Sequence, residues 1–198
     1  MRRGLGHYVR SGYGGSRATV QRMGGVSRTA GNLYGVLSSI AAGETTGTGS
    51  PLDPALLGSQ SADQVMDALV EAVRPTDGTL DGETGRGAVR EALSDVLERF
   101  PDADLVSLSE EQRLFAIERY LALDVFKRFN LDLGKTIQAK AASPTTGLAR
   151  LKEVREYIRE EVSAAFRAAR ATGQRLGARA ISVLARDALQ AAFEVFEG

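Results

Sequence analysis

The sequence predicts an all-α protein, a multi-helix bundle around one central apolar helix with a basic Gly/Arg-rich helical arm at its N-terminus. Three observations support this fold class. Apolar residues recur at three- and four-residue steps, whereas no alternating strand pattern exceeds four residues. The apolar positions are filled mainly by Ala, Leu, Val and Ile, with no Trp and only 6% aromatic residues, which is typical of helical cores. Ser, Pro and Gly stand where the helices would begin and end.

Two helices are predicted in the first 43 residues. A short helix through Tyr8 ends at Gly12, and a longer amphipathic helix, capped by Ser16, covers residues 17–42. The longer helix contains several glycines, each of which costs about 1 kcal/mol relative to alanine.

The glycines of this helix are regularly spaced. Gly24 and Gly31 are seven residues apart, and Gly31 and Gly35 are four apart. The spacing predicts a strip of small residues where another helix approaches closely. A frayed or kinked helix is the alternative.

The central helix is predicted at residues 107–135. Its apolar positions form two neighbouring stripes, and the resulting face is too wide for a helix that packs on one side only. Ser109, followed three residues later by Gln112, predicts a capping box at its start. The apolar period continues to Ile137, so Gly134 is either a kink or a stop.

Four further helices are predicted after residue 60, two before and two after the central helix. Each has an apolar face at helical spacing and a start or end signal. The signals are, in order, Ser61 and Pro75, Asp81 or Thr84 and Pro101, Pro144 and Gly173, and about Gln174 for the start of the last helix. The tract TDGTLDGETG lacks the ligand spacing of a calcium-binding loop and is predicted to be a plain acidic turn.

Composition divides the chain into three parts. Residues 43–60 are rich in Gly, Thr, Ser and Pro, as linkers are. We therefore interpret residues 1–43 as a basic helical arm, residues 44–60 as a flexible linker and residues 61–198 as the helical body.

The formal net charge of zero conceals an asymmetry. Residues 1–43 hold six arginines and no acid, residues 44–134 hold 18 acids against 8 bases, and residues 135–198 hold 11 bases against 7 acids. The basic arm either lies against acidic protein, in its own chain or in a partner, or it binds an outside polyanion. We favour protein contact, because nucleic-acid-binding domains usually carry a basic excess overall.

The residue types of most catalytic and metal sites are scarce. The chain has no cysteine and a single histidine, His7, so zinc sites and Ser-His-Asp triads are not expected. It also lacks the Gly-x-x-x-x-Gly-Lys phosphate-binding motif. We therefore expect a protein that is not an enzyme and that uses no metal and no cofactor.

The apolar run at residues 33–42 is too short and too interrupted for a membrane span. It is broken by Gly35, Ser38 and Ser39, and spanning a bilayer takes about 20 residues. We expect no membrane association, no export signal and a cytoplasmic location, with which the lack of cysteine agrees.

A protein-binding surface is predicted on the arm, where arginines and a glycine strip occur together. The predicted partner-binding residues are Arg10, Tyr13, Arg17, Arg22, Gly24, Arg28, Gly31, Tyr34 and Gly35. The alternative is a nucleic-acid-binding helical protein that uses the same arginines with the interleaved tyrosines.

Four stretches of the sequence carry a resemblance to a known family. They are RRGLGHYVRSGYGGSRATVQRMGGVSRTAGNLYGVLSSIAAG, VEAVRPTDGTLDGETGRGAVREALSDVL, FPDADLVSLSEEQRLFAIERYLALDVFKRFNLDLGK and the closing FEVFE. Together they resemble the QatB family, the small subunits of the bacterial Qat anti-phage defence system.

The resemblance implies a non-enzymatic subunit encoded beside an ATPase, a nuclease resembling TatD, and QatC, a QueC-like enzyme similar to 7-cyano-7-deazaguanine synthases. It implies docking to QatC, in a heterodimer or a larger complex, as a protein substrate or scaffold. The ATPase and the nuclease are further candidate partners. Family members carry a Gly/Ser/Pro-rich leader before the Arg-rich segment, whereas this sequence begins at Met1-Arg2-Arg3. The implied modification falls on that leader and the implied docking on the body.

Overall fold

The computed structural model describes residues 2–44, 52–171 and 176–197. Within these ranges the chain forms α-helices, one π-helical turn and no strand, which confirms the predicted all-α class. The helices are α1 (Arg2–His7), α2 (Ser16–Arg22), α3 (Gly24–Ala41), α4 (Pro54–Leu57), α5 (Ala62–Val73), α6 (Leu80–Arg99), α7 (Glu110–Ala139), α8 (Pro144–Arg170) and α9 (Ala178–Glu197), and the π-helical turn is Tyr8–Gly12.

Helix α7 lies at the centre of the bundle. It packs against α3, α6 and α8, and its Tyr120 and Leu121 are fully buried. The predicted capping box is present at its start, where the Ser109 hydroxyl accepts a hydrogen bond from the Gln112 N–H. The Gln112 side chain in turn accepts from the Ser109 N–H at 2.8 Å. These paired hydrogen bonds satisfy two N–H groups that have no partner within the helix.

The N-terminal segment, residues 2–44, belongs to the same core as the rest of the bundle. Helix α3 packs along α9 and against α7, and α1 and α2 also contact α9. The segment contributes many buried apolar side chains, namely Leu5, Tyr8, Val9, Val20, Met23, Val26, Ala30, Leu33, Tyr34, Leu37 and Ile40. In space, therefore, the predicted arm is not a separate unit, because its apolar face is removed from water by α7 and α9.

The helix predicted at residues 17–42 is in fact two helices. The break falls at Met23, between α2 and α3, which agrees with the kinked alternative. Ser16, predicted to be a cap, is the first residue of α2, and the cap position is held by Gly15 at a φ of 103°. Glycine adopts this conformation without strain. The Glu197 carboxylate accepts a hydrogen bond from the Ser16 N–H at 3.0 Å. It therefore caps α2 in place of a local side chain.

Helix α6 begins earlier than the sequence predicts. The Thr79 hydroxyl is its cap and accepts a hydrogen bond from the Gly82 N–H at 2.9 Å. Asp81 and Glu83 therefore lie in the first helical turn, not in an acidic turn before the helix. The helix dipole favours carboxylates at this end, which compensates for the low helix propensity of the neighbouring glycines.

The other helix boundaries follow the sequence signals more closely. Ser61 caps α5 through a capping box, and Pro144 is the first residue of α8. Helix α7 continues through Gly134, so this glycine is not a stop. Gly173 and Gln174 lie outside the described residues, and α9 is described from Ala178.

Part of the predicted linker also contacts the core. Leu52 and Leu57 are only 8% and 1% exposed, and both belong to the buried cluster. Residues 45–51 lie outside the described ranges.

Candidate partner-binding surface

Four of the predicted partner-binding residues are exposed arginines, Arg10, Arg17, Arg22 and Arg28, which we call the basic surface. Within the described part of the chain, Arg17, Arg22 and Arg28 form no ion pair and donate no hydrogen bond. Several arginines elsewhere in the bundle are paired with acids, namely Arg86, Arg90, Arg119, Arg128, Arg155 and Arg167. Among the described residues, therefore, no acid from the acidic middle of the chain forms an ion pair with these three arginines.

Arg10 differs from the other three because it binds the end of α9. Its Nε donates to the main-chain carbonyl of Glu197 at 2.7 Å, and Nη2 donates to the same oxygen. The last carbonyls of a helix have no intrahelical partner and carry partial negative charge, so a guanidinium is well suited to this position. The hydrogen bonds from Ser16, with the nearby Arg10 charge, lower the pKa of the Glu197 carboxyl.

Tyr13 belongs to a hydrogen-bonded cluster with Tyr8 and Asp132. The hydroxyls of Tyr8 and Tyr13 both donate to Asp132 Oδ2, at 2.8 and 2.6 Å, and the two rings meet edge to face with centroids 4.9 Å apart. Burial, followed by the hydrogen bond to Asp132, raises the pKa of Tyr13. The Arg22 guanidinium lies 5.1 Å from the centroid of the Tyr13 ring, close enough for a cation–π interaction. Tyr13 and Arg22 are thus in contact with each other.

Gly31 and Gly35 mark the closest approach of α3 to α9. A Cβ on Gly31 would lie 2.5 Å from the carbonyl oxygen of Ala178 and would overlap the Ser182 hydroxyl, and a Cβ on Gly35 would lie 3.1 Å from the Ala178 Cβ. The predicted close helix contact is therefore confirmed at these two positions. The approaching helix belongs to the same chain. Gly24, the third member of the strip, has nothing within 4 Å of an added Cβ.

Tyr34 lies in the core and not on the basic surface. Its side chain is 4% exposed, and the Arg113 guanidinium lies 5.7 Å from the centroid of its ring. With Gly31 also buried, the predicted set divides into residues that hold α3 in place and residues that face solvent.

Sequence reasoning missed a buried ion pair in the centre of the bundle. Asp124 is fully buried, and its Oδ2 accepts from Arg128 Nε at 2.7 Å. Arg128 also pairs with Asp81 at 2.9 Å. Burial raises the pKa of Asp124, and the Arg128 charge opposes this shift. The available signal was an aspartate with an arginine four residues later inside an otherwise apolar face.

A second set of polar contacts joins the N-terminal segment to α7 and to the residue after α5. Arg74 Nη1 donates to the Thr29 hydroxyl on α3 at 3.3 Å, and Tyr120 on α7 also hydrogen bonds to Thr29. Burial raises the pKa of Tyr120 well above its usual value. Polar contacts thus fix α3 against α5 and α7, in addition to apolar packing.

Metal-binding clusters and membrane-spanning helices are both absent from the described ranges. No group of three or more His, Cys, Asp and Glu side chains placed to hold a metal ion occurs there. Nor does any described helix combine the length and the apolar character needed to cross a bilayer.

The basic surface offers exposed guanidinium groups, which bind carboxylates, phosphates and aromatic faces.

Fold and surface together define an all-α protein with exposed arginines on its N-terminal segment. The chain belongs to the QatB family, because the family model described as Qat anti-phage system associated protein QatB matches residues 14–196. No curated protein and no solved structure matches the chain. The resemblance stated from the sequence is thereby confirmed, and it associates the chain with the Qat anti-phage system.

Proposed function

We propose that the chain is a non-enzymatic subunit of the Qat system that docks a QueC-like partner enzyme, QatC. In this role it presents an N-terminal leader to QatC, as a protein substrate or as a scaffold. Family membership supports a role in the Qat system. The choice of partner follows from the resemblance described above, and the exposed arginines of the N-terminal segment support the choice of surface.

The exposed arginines without acid partners support the docking proposal most directly. Arg17, Arg22 and Arg28 project from helices that are packed into the core, so little backbone conformational entropy remains to be lost when a partner binds their side chains. Their charges are not paired within the described chain. An acidic patch on a partner would therefore be steered towards this surface and held in one orientation.

Charge reversal tests the docking surface. We expect the triple variant Arg17→Glu, Arg22→Glu, Arg28→Glu to lose QatC on co-purification at physiological salt, because attraction becomes repulsion at three positions. The matched control is Arg99→Glu, Lys152→Glu, Arg170→Glu, which makes the same charge change at exposed positions outside the N-terminal segment. Circular dichroism and thermal melts show whether both triples keep the fold. Equal recovery of QatC with both folded triples would contradict the proposal.

The same variants separate protein docking from nucleic-acid binding. If the basic surface binds nucleic acid, labelled DNA or RNA binds the wild-type chain with an affinity that falls steeply with salt, and the arginine triple loses this binding. A triple that loses DNA or RNA but keeps QatC would favour the alternative.

Substrate and scaffold roles are distinguished by mass spectrometry. The full-length protein is expressed with its operon neighbours and its intact mass is compared with that of protein expressed alone. An added mass on the leader that depends on QatC identifies a substrate, whereas an unmodified subunit in a stable complex identifies a scaffold.

A further inference from the structure

A cavity of about 480 Å³ lies between α1, the last third of α7 and the first part of α8. Its floor is apolar, because Leu5, Phe129 and Val154 line it and are almost completely buried. Leu133 and Ile137 of α7 extend this apolar lining towards solvent. The volume is within the range of about 300–1,000 Å³ that is usual for small-molecule sites.

The mouth of the cavity carries an excess of positive charge. Lys140 and Arg150 are exposed there, and neither forms an ion pair with another described residue. Glu153 is the single acid among the described lining residues. Six basic side chains of α7 and α8, by contrast, pair with acids, namely Arg119, Lys127, Arg128, Arg155, Arg159 and Arg167. The two cations at the mouth lack the ion pairs that these six side chains form.

We propose that this cavity binds a small amphipathic monoanion, whose hydrocarbon body lies on the apolar floor and whose carboxylate lies between Lys140 and Arg150. Burying the hydrocarbon body removes apolar surface of both ligand and cavity from water. Among the described lining residues, two cations against one acid leave one net positive charge, which matches a single carboxylate better than a neutral group or a polyanion. The Thr136 hydroxyl, also on the lining, is a further hydrogen-bond donor.

The cavity is separate from the proposed docking surface, since none of the four arginines of the basic surface lines it. Part of the apolar floor nevertheless comes from the N-terminal segment, through Leu5 of α1. A bound ligand would therefore add contacts between this segment and the α7–α8 pair.

Titration of the full chain with octanoate tests the proposal, with 1-octanol as the neutral probe of the same length. We expect saturable shifts of backbone amide NMR signals within residues 133–140 and 150–154. Octanoate should bind about tenfold more tightly than 1-octanol, since two partly exposed ionic contacts are lost with the carboxylate. No saturable shifts with octanoate, or equal affinities for the two probes, would overturn the proposal.

Variants at exposed positions locate the anion. Lys140→Gln with Arg150→Gln should weaken octanoate binding about tenfold and leave 1-octanol binding unchanged. Lys152→Gln with Arg170→Gln removes two exposed cations that do not line the cavity and should change neither. An octanoate affinity unaffected by the first pair, or reduced equally by both pairs, would show that the carboxylate does not bind at this mouth.

Discussion

The Nε of Arg10 donates a hydrogen bond to the main-chain carbonyl oxygen of Glu197 at 2.7 Å and so joins the N-terminal segment to the end of α9. Two further contacts occur at the same place. The Glu197 carboxylate caps α2 through the Ser16 N–H, and a Cβ added to Gly6 would lie only 2.8 Å from the carbonyl oxygen of Phe196. The last residues of α9 therefore hold α1, the π-helical turn and the start of α2 in place.

Replacing Glu197 by alanine should loosen α2. The substitution removes the acceptor for the Ser16 N–H, which then has no capping partner. We expect faster amide hydrogen exchange across residues 16–22 and a lower melting temperature. Asp187→Ala is the control. Asp187 is an exposed acid on the same helix, and it pairs with Arg186 and not with α2. If exchange in α2 is the same in both variants, Glu197 does not cap this helix.

The same cap should make stability depend on pH in the acid range. The pKa of Glu197 is lowered in the folded state by the hydrogen bonds from Ser16, so its ionised form stabilises the fold. This contribution is fully present above the unfolded pKa of about 4.3 and is lost as pH falls through the lower folded value. The melting temperature of wild type should therefore exceed that of Glu197→Gln at pH 7, and the difference should shrink below about pH 4. A difference that grows on acidification would contradict this assignment.

Two glycines of the same helix should respond oppositely to alanine. Gly31→Ala places a methyl group 2.5 Å from the Ala178 carbonyl oxygen, and such overpacking should destabilise the protein by about 1–3 kcal/mol. Gly24→Ala meets nothing within 4 Å and should stabilise by about 0.5–1 kcal/mol, because alanine loses less backbone entropy in a helix. Urea denaturation measures both values. Equal effects of the two substitutions would mean that α3 does not approach α9 at Gly31.

The sequence predicted the helices that carry strong local signals. Ser109 with Gln112, and Ser61 at the start of α5, are caps whose hydrogen-bond partners lie three residues away, so the pattern alone is sufficient to place them. The spacing of Gly31 and Gly35 likewise predicted a close helix contact, although it could not say which helix approaches.

The features that the sequence could not predict depend on contacts between residues that are far apart in the chain. The cap of α2 comes from Glu197, 181 positions after Ser16, and no local pattern indicates it. The apolar face of α3 predicted burial, but it did not distinguish burial in the chain's own core from burial against a partner. Only the structure separates the predicted partner-binding residues into buried ones, such as Tyr34, and exposed ones, such as Arg28.

The buried pair of Asp124 and Arg128 should be the polar contact most sensitive to substitution. Asp124→Ala leaves a largely buried guanidinium with only the exposed Asp81 as its carboxylate partner, and removing one member of a buried ion pair costs about 3–5 kcal/mol. Asp124→Asn keeps a hydrogen-bond acceptor and should cost less. Asp67→Ala breaks the exposed pair with Arg90 and should change the free energy of unfolding by at most about 1 kcal/mol. Urea denaturation of the three variants gives these values, and a loss for Asp124→Ala no larger than that for Asp67→Ala would show that the buried pair does not fix the centre of the bundle.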